Sequence, residues 1–318
     1  MTAPDPGARR VVSFLPAATE IVAALGCADR LVGVSHECDF PPQVRRLPAV
    51  SRCTMAADAD SAAVDAWVSA GLARGAPLYE IDAERLRRLA PDLVLTQGLC
   101  AVCAPDPSTL AKALADLPRP PRLLSLEAHD LAGVLASITA VADALGEPAR
   151  GEALIERLHA RLATLSRALG ATVRRPRTAV IEWLDPLYCC GHWTPELVAL
   201  AGGEEVFGRP GRPSVRRTWE ALADAAPEVL VIACCGQDAA RAARDWQPLR
   251  RRAEVAALPA VRSGRVHLVD GNAYFNRPGP RLIDSAERLA DLLHPRRAGA
   301  RDCSAARAAV QSGAATES

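Results

Sequence analysis

Two stretches of this chain repeat one pattern in different residues. DAERLRRLAPDLVL occupies 82–95 and TWEALADAAPEVLV occupies 218–231. In both, a residue able to cap a helix (Asp82, Thr218) opens a short helical run with a glutamate two positions on (Glu84, Glu220). An Ala-Pro pair then stops the helix, because proline has no N–H to donate, and an apolar strand-like run follows. A helix–proline–strand unit used once in each half restricts the chain to folds built from two related α/β halves.

The rest of the sequence fits that frame. Short apolar runs at 11–15, 31–34, 93–96 and 123–126 alternate with helical patterns at 20–25, 61–72, 82–90, 110–117 and up to about 145. After the midpoint, runs at 178–183, 229–233 and 266–269 alternate with helices opening at Thr194 and Thr218, and a closing helix covers 280–293. Thr194 is the expected cap of its helix, with Pro195 in the first turn and Gly202 and Gly203 ending it. Between the halves, Leu154, Ile155, Leu158, Leu162, Leu165 and Leu169 recur at helical spacing until Gly170. The expected architecture is therefore α/β: two Rossmann-like lobes with parallel sheets, joined by one long backbone helix. The lobes are expected at 1–147 and 173–296, the helix at 148–172, and a disordered Ala/Arg/Ser-rich tail at 297–318.

Composition excludes several functions. Lys+Arg 38 against Asp+Glu 37 gives a net charge of +1, so no basic excess exists to bind a phosphate backbone, and no nucleic-acid partner is expected. No apolar run approaches the ~18 residues that cross a bilayer, so the chain is not expected to be membrane-embedded. Residues 1–10 carry no apolar signal core, which gives a cytoplasmic expectation for the chain as written and a periplasmic one if its start codon is misassigned. In a reducing compartment the ten cysteines are expected as thiols, metal ligands or redox groups, not a disulfide frame.

Ligands of parallel α/β sheets gather at the carboxyl ends of the strands. His36 and Cys38 follow the strand ending at Val34, and Cys100 and Cys103 follow the one ending near Thr96. Cys189, Cys190 and His192 follow Trp183, Cys234 and Cys235 end the strand at 229–233, and Cys53 lies in an irregular stretch. Only Cys27 and Cys303 fall outside this set, and both read as space-filling residues. The two-residue gap between Cys100 and Cys103 lets both sulfurs reach one centre. The candidate metal ligands are Cys38, Cys100, Cys103, Cys235 and His192, which makes a cytoplasmic metalloprotein with an iron–sulfur cluster or zinc the alternative function. One member of each adjacent pair, 189/190 and 234/235, is expected in the core, because neighbours on an extended chain point opposite ways. A dithiol oxidoreductase ranks low, since Pro105 and Pro107 follow where a helix would have to start. No nucleophile elbow, phosphate loop or His-Glu-x-x-His pair is present, so the chain is not read as an enzyme.

Several segments together resemble the cobalamin- and siderophore-type solute-binding proteins of ABC importers, and within them the vitamin B12-binding branch. They are SFLPAATE at 13–20, VGVSHECDFPP at 32–42, PDLVL at 91–95, AGG at 201–203 and RPGPR at 277–281, in order over about 11–295. The resemblance implies a non-catalytic protein that holds a corrinoid, cobalamin or a precursor, in a cleft between the lobes. It also implies docking of an ABC permease at Glu84 and Glu220. The corresponding ligand-binding candidates are Thr19, Glu20, His36, Phe40, Gln97, Tyr188, His192, Tyr274 and Phe275, with His192 or a thiolate such as Cys100 near the cobalt. The sequence departs from the branch where tryptophans are expected, at Cys53 and Gln97, and aromatics make up only 4% of the chain.

Overall fold

A computed structural model describes residues 7–53, 55, 59–74, 78–98, 107–170 and 174–295. The chain forms two compact units. The first takes the residues up to Leu162 together with Pro210–Pro213 and Arg277–Leu282; the second takes Ala163–Arg209, Ser214–Asn276 and the residues from Ile283.

In the first unit, β1 (Val11–Ser13), α1 (Pro16–Ala24), β2 (Leu31–Val34), β3 (Ser51–Cys53), α2 (Ser61–Ala73), β4 (Tyr79–Ile81), α3 (Ala83–Leu89), β5 (Leu93–Thr96), α4 (Pro107–Ala115), β6 (Arg122–Ser125) and α5 (Leu131–Ala144) follow one another. The main sheet runs β2-β1-β5-β6 and all its pairs are parallel. Val11, Val12 and Ser13 are all fully buried, as a central parallel strand covered on both faces must be. Val12, Phe14, Val50, Leu86, Val94 and Leu110 form one core. The register Cys53↔Tyr79 pairs β3 with β4 in a separate antiparallel ribbon, so Cys53 lies in a strand and not in the irregular stretch expected.

Helix α6 (Pro148–Leu169) follows, and at 22 residues it is about 33 Å long. Leu154, Ile155, Leu158, Leu162, Leu165 and Leu169, the stripe read from the sequence, are all buried or half-buried, together with Gly151 and Arg161. Gly151 lets α6 approach α5, because a Cβ there would stand 2.7 Å from the Ala142 methyl. Gly170, at φ +72°, takes the left-handed conformation that ends the helix.

The second unit contains β7 (Arg177–Trp183), β8 (Tyr188–Cys189), α7 (Thr194–Leu200), β9 (Glu204–Glu205), β10 (Val215–Arg216), α8 (Trp219–Ala225), β11 (Val229–Ile232), α9 (Ala239–Leu249), α10 (Ala253–Ala256), α11 (Pro259–Arg262) and β12 (Val266–Leu268); α12 (Leu282–Leu293) closes the described chain. Its sheet has the order β10-β8-β7-β11-β12, with β9 beside the start of β7. Here β7, β11 and β12 form the expected parallel set, to which β8, turning back on β7, and β10, turning back on β8, add two antiparallel pairs. Thr194 is not the cap of its helix but its first residue, preceded by Trp193 in helical conformation with no capping side chain. The repeated units behave as read. Asp82 accepts the Arg85 N–H at 2.8 Å and Thr218 the Ala221 N–H at 3.2 Å, each worth about 1 kcal/mol.

Candidate functional site

Strand β1 pairs with β2 on one side and β5 on the other, so the chain leaves it at a point where connections diverge, the usual ligand end of such a sheet. Several of the predicted residues meet there in an interior cluster. The Thr19 hydroxyl is 3.1 Å from the Cys38 sulfur, and Ser35 Oγ approaches the same sulfur at 3.5 Å. Cys38 is buried, and desolvation pushes its thiol up despite those hydrogen bonds.

The Glu20 carboxylate accepts Arg281 through both oxygens, Nε to Oε2 at 2.8 Å and Nη2 to Oε1 at 2.6 Å. Arg277 Nη1 adds a third contact at 3.1 Å and also reaches Asp39 Oδ1 at 2.5 Å. The Glu20 and Arg277 side chains are only 2% and 5% exposed, so removing either partner would leave a charge in the interior. Both arginines come from the RPGPR motif, whose residues were not among the expected ligand contacts. Thr19 is fully buried and its N–H closes the first turn of α1 on Leu15 O, so it offers no backbone donor to a ligand. Gln97, at the end of β5, is also buried.

Next to this interior the loop after β2 exposes Phe40, the one large hydrophobic side chain exposed among the described residues, at 40%. The Arg281 guanidinium carbon lies 4.0 Å from its ring centroid. Phe40, Pro41, Ala23, Ala24 and Pro280 line a small apolar cavity of about 190 Å³ over Glu20 and Arg281.

His36 sits three residues before Asp39, and its partners come only partly from its own loop. Nδ1 is 2.9 Å from the Ser51 hydroxyl, Nε2 is 3.3 Å from Glu37 Oε1, and the ring lies 5.4 Å from Tyr79. The hydrogen bond from His36 holds the Glu37 carboxyl below its ordinary range. Ser51 and Tyr79 come from the β3–β4 ribbon, whose two short strands gave no alternation to read.

In the second unit Phe275 is 1% exposed and its carbonyl accepts Trp193 Nε1 at 2.8 Å. Tyr274 is half-buried, with Arg288 over its ring at 4.1 Å and bonded to its hydroxyl at 2.9 Å. Tyr188 is half-buried opposite Trp183. His192 is half-buried at φ +52°, its ring 5.6 Å from that of Trp193.

The cysteine pairs divide differently. Cys234 is core, with its thiol pushed up to about 12 by burial, while Cys235 is half-buried, as the alternation rule expects. Cys189 and Cys190 are both fully buried, because one faces the core and the other faces two glutamates. Glu205 accepts the N–H groups of Phe207 (3.1 Å), Gly208 (3.3 Å) and Val180 (3.3 Å), and burial lifts its carboxyl to about 7. Glu182, inside the apolar strand β7, bonds the Ser214 hydroxyl and is also raised by burial. A glutamate within TAVIEW was the signal that a buried acid was present.

Cys100 and Cys103 lie outside the described residues. Among the described residues no group of three or more His, Cys, Asp or Glu side chains is placed to hold a metal ion, and the described cysteines are free thiols. Glu84 and Glu220 are exposed, each the second residue of its helix. No helix among the described residues is long and apolar enough to cross a membrane.

A family model described as periplasmic binding protein matches residues 11–273. This chain belongs to the periplasmic binding protein family. Such proteins are the non-enzymatic substrate-binding components of ABC importers, and they bring a small molecule to a permease. A vitamin B12-binding protein of Photorhabdus laumondii is 25% identical over 303 residues, covering 90% of this chain and 88% of the relative. The crystal structure of the periplasmic vitamin B12-binding protein of Vibrio cholerae superposes with a TM-score of 0.65 at 24% identity, over 91% of this chain and 98% of that one. A periplasmic heme-binding protein from Pseudomonas aeruginosa gives 0.69 at 22% identity, over 91% and 93%. The two-lobe α/β architecture expected from the sequence is the fold of this family.

Proposed function

We propose that this periplasmic binding protein carries a corrinoid, cobalamin or a precursor, to an ABC permease. The observation that carries the reading is the end-to-end likeness to relatives named vitamin B12-binding proteins, in genera as separate as Photorhabdus and Vibrio, over 88–89% of their length. Phe40 supports it from the structure, as exposed flat apolar surface beside the carboxyl end of the main sheet, suited to the face of a macrocycle. His36, Tyr188, His192 and Tyr274, all half-buried, are the further candidate contacts. Absorption spectra recorded while cobinamide or cobalamin is added test the reading. Saturable one-to-one binding in the micromolar range is expected, with haem a weak competitor. No binding of either corrinoid, or tighter binding of haem, refutes it.

Glu84 and Glu220 are the proposed permease contacts. Each stands in the first turn of a capped helix, and the Glu220 carboxyl is held below its ordinary range by its own N–H and by Thr218. Glu84 pairs with Arg88 on the surface, a contact worth little and easily exchanged for a permease arginine. Glu84→Arg together with Glu220→Arg is expected to abolish uptake and leave corrinoid affinity unchanged; undiminished uptake contradicts the assignment. Docking of this kind takes place on the side from which solute enters, so the working location proposed is periplasmic. Recovery of the native protein only with the cytoplasm would contradict that.

A further inference from the structure

Phe40 would be a poor platform if its ring turned freely, because ordering a loop side chain on binding costs about 0.5–1.5 kcal/mol. The structure surrounds it with parts that prevent this. The Arg281 guanidinium covers the ring at 4.0 Å to its centroid. That guanidinium is itself fixed by two bonds to Glu20, whose side chain is 2% exposed. The residue before the ring, Asp39, is bonded to Arg277, and Arg277 returns to the same Glu20. Glu20, Asp39, Arg277 and Arg281 carry two charges of each sign, so the cluster is neutral and has little net field with which to attract or repel a charged ligand. What it supplies is a fixed position.

We propose that Arg281, seated on Glu20, is a positioning residue for ligand binding: it holds the Phe40 ring by one face and leaves the rest for the ligand. The inference rests on the corrinoid reading. A cation centred over a ring is favourable by roughly 0.5–1 kcal/mol at an exposed site and about 2 kcal/mol when desolvated. Here the cation is anchored in the interior, so the ring follows the anchor. The anchor is encoded at the far end of the chain, in the RPGPR segment, so a change there reaches the ligand through Phe40 without contact between Arg281 and the ligand.

A double-mutant cycle on the full chain tests this, with cobinamide as the probe and Arg281→Met and Phe40→Ala as the two changes. Arg281→Met is expected to weaken cobinamide about 2–13-fold in the Phe40 protein, the fold-change equivalent of the ordering cost above, and to leave the affinity of the Phe40→Ala protein unchanged. Equal losses in both backgrounds, or none in either, overturn the proposal. Should Arg281→Met fold poorly because Glu20 loses a partner, Glu20→Gln with Arg281→Met keeps the cluster neutral and serves in the same cycle. A wild-type protein that binds no cobinamide refutes the corrinoid reading and this inference with it. A second readout needs no ligand. Labelling the four phenylalanines with 4-fluorophenylalanine gives four fluorine resonances, and Arg281→Met is expected to shift the Phe40 line and leave the other three in place. An unmoved Phe40 line overturns the positioning role even if corrinoid binds.

Discussion

Replacing Glu205 by glutamine isolates one buried acid and gives the stability of the second unit a defined pH dependence. Burial raises the Glu205 carboxyl from 4.5 to about 7, against the N–H groups of Phe207 and Gly208 that pull it down. The folded state therefore binds this proton more tightly than the unfolded chain. The stabilisation is complete below pH 4.5 and is lost as the pH rises through 7. Between pH 5 and pH 8 the loss from this group comes to about 2 kcal/mol. Glutamine cannot titrate, so it removes the slope, and its amide N–H₂ faces backbone donors at a cost of about 1–3 kcal/mol. Urea unfolding of both proteins at pH 5, 6, 7 and 8 reads the difference. Tryptophan fluorescence follows the second unit, which holds Trp183, Trp193, Trp219 and Trp246, with only Trp67 in the first. The penalty of Glu205→Gln is expected to shrink by about 2 kcal/mol from pH 5 to pH 8. A penalty independent of pH would show instead that Glu205 is ionised or solvated in the folded protein.

Other perturbations test the frame itself. Leu86→Ala, at a fully buried position of the first core, is expected to cost about 2–5 kcal/mol in urea unfolding; a loss under about 1 kcal/mol would mean α3 does not pack as described. Thr218→Ala removes the cap of α8 and should cost about 1 kcal/mol, with Thr218→Asp restoring it; equal stability of all three would show that the hydroxyl does not cap. Gly151→Val forces side-chain atoms into Ala142, and a lowered melting temperature is expected; an unchanged one would mean α5 and α6 stand further apart.

The sequence disclosed most where local chemistry decides the outcome. The two capped helices ending in Ala-Pro, the leucine stripe of α6 and the stop at Gly170 each depend on neighbours within a few residues, and each was readable. Strands β8, β9 and β10 are two residues long, too short to alternate, so the antiparallel turn-back at Tyr188–Cys189 left no pattern. Thr194 misled because a threonine before proline resembles a cap, whereas Trp193, tied to the Phe275 carbonyl, had already entered the helical conformation. At the site, Phe40 was named through the family resemblance. The pairing of Glu20 was not legible, since its partners Arg277 and Arg281 lie at the other end of the chain, and no spacing rule joins a carboxylate to a guanidinium over that distance. Cys38 drew attention as a thiol following a strand; its burial against Thr19 and Ser35 comes from packing that no local pattern announces.

The most direct test is the structure of the protein crystallised with cobinamide. The corrin ring is expected within van der Waals contact of Phe40, with the Glu20–Arg281 pair intact behind it. A corrin bound away from Phe40, or crystals that exclude cobinamide while taking up haem, would contradict this expectation.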